Sequence, residues 1–276
     1  MNLLHALILG IIQGITEFLP ISSSGHLVII PLIFNWDLQN LAVDVALHFG
    51  TALAVIVYFM KDWLKMLNSL KSDVLGYNLS IFSHISKLRR ATRVLMTILA
   101  VSIPVGIAGY FLQDTVESTF RSPVTIAFML IIVSFLMLFA ERFSSRLSIK
   151  KDSITFRDAL VISLSQIIAL IPGTSRSGIT ISTGLFRKLK REEAARFSFL
   201  LATPVIFGAT LVKIPDLIHI SSSDLLGVFI GTATSFTVGL ISIKWLLGFL
   251  KKQNLLPFII YRIGLGVIIL LISFLR

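Results

Sequence analysis

Glu17 stands four residues after Gln13, so the two side chains fall on one face of a helix. A turn follows at once: Pro20-Ile-Ser22-Ser23-Ser24-Gly25-His26. A second turn of similar make-up, Pro172-Gly-Thr-Ser175-Arg176-Ser177-Gly-Ile-Thr180, lies far downstream. A carboxylate, an imidazole and a guanidinium are costly in apolar surroundings, and there they read by default as functional. Hydroxyls, an arginine and the free N–H groups of a helix start together form a cradle for an anion, most naturally a phosphate. Chemistry on a phosphate has two routes here: attack by a serine with a base in reach, or by water activated at Glu17 or His26. The same residues could instead be a Glu–Arg pair stapling two segments, with serines as helix caps.

Both turns interrupt apolar stretches, at 3–34 and 158–186. A helix running through such a turn would leave backbone groups unpaired in lipid. Broken segments at membrane depth therefore sit inside protein or line a wet cavity. Each is expected to be a re-entrant hairpin. Six other stretches, about 41–60, 94–113, 122–140, 194–213, 225–246 and 256–275, are long enough to cross a hydrocarbon core about 30 Å thick. A shift of 153 residues lays Gln13 on Gln166, Ser22 on Ser175, Ser24 on Ser177 and Gly25 on Gly178. Each half is then one hairpin plus three spans; three is odd, so the second half is upside down. The expected fold is an all-α polytopic membrane protein of two inverted-topology repeats. It forms a single membrane domain over 1–276, with repeat 1 about 1–141 and repeat 2 about 156–276.

Composition agrees. The chain is 55% hydrophobic and only 14% charged, with a mean hydropathy of +0.90, too little charge to cover a soluble domain of this length. A net charge of +11 could suggest nucleic acid, but the cations sit in short clusters between apolar segments, as membrane topology and anionic lipid demand. The clusters at 61–93, 142–157, 187–196 and 244–252 hold 20 of the 25 Lys and Arg residues. Arg121, Lys213 and Arg276 belong to the other face. The basic face is expected to be cytoplasmic, with both termini outside. Zero cysteines exclude disulfides and thiolate chemistry. The N-terminus lacks a basic region and a cleavage site, and reads as mature protein rather than a signal peptide.

The segments Gln13-Gly-Ile-Thr-Glu17-Phe-Leu-Pro20-Ile-Ser-Ser-Ser-Gly25-His26 and Pro172-Gly-Thr-Ser-Arg-Ser-Gly-Ile-Thr180 resemble the two signature motifs of the undecaprenyl-diphosphatase family, also known for bacitracin resistance. The resemblance runs the length of the chain and includes Asp44-Val-Ala-Leu-His48-Phe-Gly-Thr51. It implies a bacterial inner-membrane enzyme that hydrolyses undecaprenyl diphosphate to the monophosphate, recycling the lipid carrier for peptidoglycan and other wall polymers. Glu17 would be the essential carboxylate, acting as a base or through Mg²⁺ or Ca²⁺. Ser23 would be the nucleophile or a phosphate ligand, His26 its base or proton donor, and Arg176 the grip on the diphosphate. Gln13, Ser22, Ser24, Ser175, Ser177 and Thr180 would line the diphosphate. Gln13 stands where many members have a second Glu. The metal, with one protein carboxylate, is expected to bridge substrate oxygens rather than be resident. Implied partners are the polyprenyl diphosphate and membrane lipid, with a homodimer open. Asp44 and His48, four apart, read as interhelical hydrogen-bonding groups. The rival function is a polyprenyl-phosphate flippase or secondary transporter using the same anion site, because broken helices in inverted repeats are also a transporter signature.

Overall fold

The computed structural model describes residues 2–36, 41–76, 88–218 and 222–275. Arg276 and most of the loop between 76 and 90 lie outside the described residues, as does the side chain of Lys213, so part of the charge reading falls on them. Eleven helices are described: α1 Leu3–Thr16, α2 Ser23–Ile33, α3 Leu41–Tyr58, α4 Met60–Gly76, α5 Arg90–Thr119, α6 Pro123–Ser145, α7 Phe156–Ser165, α8 Arg176–Phe186, α9 Arg191–Ile218, α10 Ser222–Lys252 and α11 Leu256–Leu275. Five of them, α5, α6, α9, α10 and α11, are long and apolar enough to cross a membrane. A sixth span exists if α3 and α4 count together, but the chain bends by 71° between them. The chain is therefore a multi-pass membrane protein. The 41–60 span expected from the sequence corresponds to α3 and ends at that bend. Beyond it α4 carries Lys61, Lys65 and Lys71 on an amphipathic helix, which suits an interface rather than a bilayer core.

The two interrupted stretches are the site's scaffold. At 1.5 Å per residue, helices of 14 residues for α1 and 11 for α2 reach only about 21 and 17 Å, short of a crossing. The second stretch has the same form: α7 of 10 residues, a single 3₁₀ turn at Ile168–Leu170, then α8 of 11 residues. The breaks run from 17 to 22 and from 166 to 175, so each opens ahead of its Pro, and the last residues of each expected turn already begin the next helix.

Lipid tails are as apolar as leucine, so close van der Waals fit, not burial from water, holds such helices together. Small residues provide that fit. A Cβ on Gly10 would lie 2.5 Å from Gly231 O, and one on Gly50 2.3 Å from Thr232 O, so α10 packs backbone-close against α1 and α3. Around these contacts a core of Phe18, Phe199, Met137, Ile181, Leu247 and neighbours encloses the end of α1 and the body of α8. Glu141 takes Arg191 and the Leu255 N–H at the far end of α6. Asp158, fully buried, caps Thr155 and pairs with Arg187 at 2.7 Å and Lys151 at 3.2 Å. That cluster ties the base of α7 to the chain leaving α8.

Candidate active site

The two turns share one backbone solution. Ser22 has φ 78° and ψ 96°; Ser175 has φ 71° and ψ 106°. Left-handed φ is costly for any residue but glycine and persists where surrounding structure over-determines it, often at functional sites. Each serine caps the helix it precedes, its hydroxyl accepting from Gly25 N at 3.3 Å or Gly178 N at 3.1 Å. Each also meets the serine two residues on, at 3.4 and 3.2 Å. Gly173, with φ 90°, lets the second turn lie on α6, where an added Cβ would sit 2.6 Å from Ile126 O.

The turns match in form but not in chemistry. The 153-residue shift lays Ser23 on Arg176, Glu17 on Leu170 and His26 on Ile179. One hairpin carries the hydroxyl and carboxylate, the other the cation, and they meet. Glu17, 7% exposed, accepts from Arg176 Nη2 at 2.6 Å through one oxygen. Through the other it accepts from Ser23 Oγ at 2.7 Å and Gln13 Nε2 at 3.0 Å. Arg176 also donates to Ser198 O at 3.0 Å, which anchors it to α9.

Ser23 therefore has Glu17, not His26, as its hydrogen-bonding partner, contrary to the expectation that His26 stands nearest. His26 is engaged elsewhere. Its Nδ1 lies 2.7 Å from the Ser22 carbonyl and its Nε2 2.7 Å from the Tyr261 hydroxyl. A carbonyl only accepts, so Nδ1 carries the hydrogen and Nε2 accepts from Tyr261.

The other expected ligands divide. Ser24 lines a cavity of about 380 Å³ that also reaches His48, Asp44 and Arg121 and is otherwise mostly apolar. Ser22 and Ser175 serve as caps. Ser177 donates to Leu19 O at 3.1 Å, and Thr180 bonds Arg176 O at 2.7 Å and Ser198 Oγ at 2.6 Å. All four are buried, and their hydroxyls hold the turns together. Gln13 also donates to Thr51 at 3.3 Å, and its Oε1 is buried with no partner among the described residues. A larger cavity, about 650 Å³, lies between α5 and α9 and touches none of these residues.

Three residues join the site that the sequence reading did not place there: His48, read as an interhelical hydrogen-bonding group, and Tyr261 and Arg262. His48 places Nε2 3.4 Å from Glu17, its Nδ1 fixed by the Asp44 carbonyl at 2.7 Å. Asp44 in turn pairs with Arg121 at 3.0 Å. Tyr261 and Arg262 enter from α11, Arg262 wholly buried. The signal for His48 was present, an ionisable residue four after another on a spanning helix. Arg262 was likewise visible as a cation inside the last apolar run.

The Mg²⁺ or Ca²⁺ implied by the resemblance finds no cage here. Among the described residues no three His, Cys, Asp or Glu side chains come together, and both oxygens of Glu17 are taken. Hard cations take six or more oxygens. These residues do not fit a resident ion.

The family model described as bacitracin resistance protein BacA matches residues 6–268. The chain belongs to the BacA family. Relatives agree along their whole lengths. A protein of Thermodesulfovibrio yellowstonii named undecaprenyl-diphosphatase is 46% identical, over 100% of this chain and 99% of its own. Proteins of the same name from Desulforudis audaxviator and Trichlorobacter lovleyi are 40% and 44% identical, covering 100% and 98% of each chain. Membership gives Glu17, Ser23 and Arg176 a common setting: a carboxylate, a hydroxyl and a guanidinium within one hydrogen-bonded group at the meeting of two turns.

Proposed function

We propose that this BacA-family chain hydrolyses undecaprenyl diphosphate to undecaprenyl phosphate and inorganic phosphate, as the names of its relatives state for them. The observation that carries the reading is Glu17 shared between the Ser23 hydroxyl and the Arg176 guanidinium. Phosphoryl transfer from a diphosphate needs positioning and charge neutralisation more than covalent machinery. Ser23 Oγ attacks the terminal phosphorus as its proton passes to Glu17 Oε2. The bridging P–O bond breaks, and undecaprenyl phosphate leaves with the bonding electrons. Water then attacks the seryl phosphate and loses a proton to solvent, and the P–Oγ bond breaks as Glu17 returns its proton to Ser23 Oγ. Inorganic phosphate departs. Arg176 offers a planar fork to phosphate oxygens throughout. A Mg²⁺ or Ca²⁺ ion would arrive with the diphosphate, held by the substrate's own oxygens.

The matching turns support two inverted repeats whose re-entrant hairpins bring the turns together, as the 153-residue shift suggests. The distribution of Lys and Arg supports a bacterial plasma-membrane protein with both termini outside. The mostly apolar cavity beside Ser24 and His48 suits the isoprenoid end of the substrate. Purified protein in detergent should release phosphate from undecaprenyl diphosphate, and Ser23→Ala should not. Equal release by both, or by neither, would sink the reading.

A further inference from the structure

Arg262 is the largest fully buried side chain described, at 0% exposure. Among the described residues no carboxylate pairs with it. It donates instead to neutral oxygens of three separate pieces of chain. Pro20 O of the first turn lies at 3.4 Å; Gly173 O and Thr174 O of the second turn lie at 3.1 and 3.0 Å. Met129 O and Ser134 Oγ of α6 complete the set at 3.4 and 3.0 Å. A cation wholly enclosed among helices is costly even when hydrogen-bonded, and a neutral side chain of like size would pack there more cheaply. The next residue back, Tyr261, holds His26 at the start of α2. Two adjacent residues of one helix thus touch both turns and the imidazole that follows the first.

We propose that Arg262 and Tyr261 are the positioning residues of this site. Arg262 clasps the two turns to each other by their carbonyls, and Tyr261 holds the Nε2 side of His26, whose Nδ1–H is already fixed by the Ser22 carbonyl. The clasp sets the distance between Ser23 on one turn and Arg176 on the other. Neither residue bonds Glu17, Ser23 or Arg176, so both act through the backbone and through His26. This inference rests on the hydrolase reading above. A misplacement of about 1 Å between reacting groups costs on the order of 10²-fold in rate, so loosening the clasp should show in turnover before it shows in binding.

The test uses the full-length protein in detergent, with a water-soluble short-chain diphosphate and ¹⁵N-histidine labelling. Arg262→Lys keeps the charge but cannot span all these carbonyls. Its kcat should fall on the order of 10²-fold per folded molecule, with KM within about threefold of wild type. Tyr261→Phe keeps the ring and loses only the hydroxyl. It should lower kcat about tenfold and shift the His26 Nε2 resonance in the ¹⁵N spectrum as that nitrogen loses its hydrogen-bond donor, with Nδ1 still protonated against Ser22 O. Should Arg262→Lys not fold, Tyr261→Phe carries the test alone. Wild-type kcat in folded Arg262→Lys, or both kcat and the His26 Nε2 resonance unchanged in Tyr261→Phe, overturns the proposal. No phosphate release by wild type overturns the hydrolase reading instead, and the Nε2 resonance still reports on Tyr261.

Discussion

Glu17 Oε1 and Arg176 Nη2 lie 2.6 Å apart, although 159 residues separate them in the chain. A buried charge pair left without one partner is strongly unfavourable, so each of these residues depends on the other hairpin being in place. Because Arg176 occupies one carboxylate oxygen, the other faces Ser23 and Gln13. The pair thus sets the direction of the proposed base as well as neutralising it.

That arrangement predicts an asymmetry between shape and chemistry. Glu17→Gln preserves size but removes the proton acceptor, and kcat should fall on the order of 10²-fold or more. Arg176→Lys keeps the charge but loses the planar fork, so kcat/KM should fall on a similar scale, about 10²-fold. Steady-state kinetics on a short-chain diphosphate checks both. Near-normal turnover by well-folded Arg176→Lys would reject the clamp.

Gln13 predicts the opposite. It donates to Glu17 and Thr51, but an amide cannot shuttle protons. Gln13→Ala should lower kcat by about tenfold, the low end for losing a hydrogen bond to a charged group. Ser23→Ala, which removes the proposed nucleophile, should leave no turnover above background. A larger loss from Gln13→Ala than from Ser23→Ala would reverse the assigned roles.

Much of this site was legible in the sequence because membranes make polar residues conspicuous. Gln13, Glu17, Ser22–His26 and Ser175–Thr180 stand out against apolar flanks, and each break takes in the Pro that predicts it. What could not be read was which polar group faces which. Ser23 and His26 are three apart and look like partners, yet the first turn of α2 sends His26 toward α11 and leaves Ser23 on Glu17. His48 shows in the sequence only as a histidine four after Asp44, and Arg262 only as a lone cation, because Glu17 and the turn carbonyls of Pro20, Gly173 and Thr174 that give them meaning lie on distant stretches of chain. Serines 22, 175 and 177 look like phosphate ligands by type alone; a left-handed Ser22 or Ser175 brings its own oxygen onto the next helix start, and Ser177 donates to Leu19 O beside the first turn.

The charge asymmetry yields a topology prediction. With both termini outside, a cysteine placed at Ser72 on α4 should resist an impermeant thiol reagent on intact cells, whereas one at Ser118 should react. The chain has no native cysteine to confuse the result. Preferential labelling at 72 would invert the orientation.

Asp158 lies outside the membrane-spanning helices and predicts an acid limit to stability. Burial alone would raise its pKa, but hydrogen bonds from Thr155, Arg187 and Lys151 outweigh burial and lower it from 3.8 to about 2. A depressed carboxyl contributes stability that is complete above the unfolded value and lost as pH falls through the folded one. The contribution should therefore vanish between about pH 4 and pH 2. Asp158→Asn should cost on the order of 2 kcal/mol at neutral pH, reduced because both cations are partly exposed. It should also flatten the acid limb of a thermal-unfolding series. A limb of unchanged steepness would assign acid lability elsewhere.

The last prediction concerns the cavity beside Ser24 and His48. Gly106 of α5 and Gly208 of α9 both line it, and an added Cβ at either would meet nothing within 4 Å. Neither glycine is required by close packing, unlike Gly10 or Gly50, so what they leave open is space. Leucine at either position adds bulk to a volume of about 380 Å³ and improves helix propensity by roughly 1 kcal/mol, so folding should not suffer. If the isoprenoid tail lies there, Gly106→Leu and Gly208→Leu should raise KM for undecaprenyl diphosphate about tenfold, the loss of one or two buried CH₂ contacts. KM for a five-carbon diphosphate, whose tail is too short to reach past the turns into that cavity, should stay within about twofold. The same rise for both substrates would mean that the leucines disturb the turns, and no rise for either would place the tail on another face of the protein.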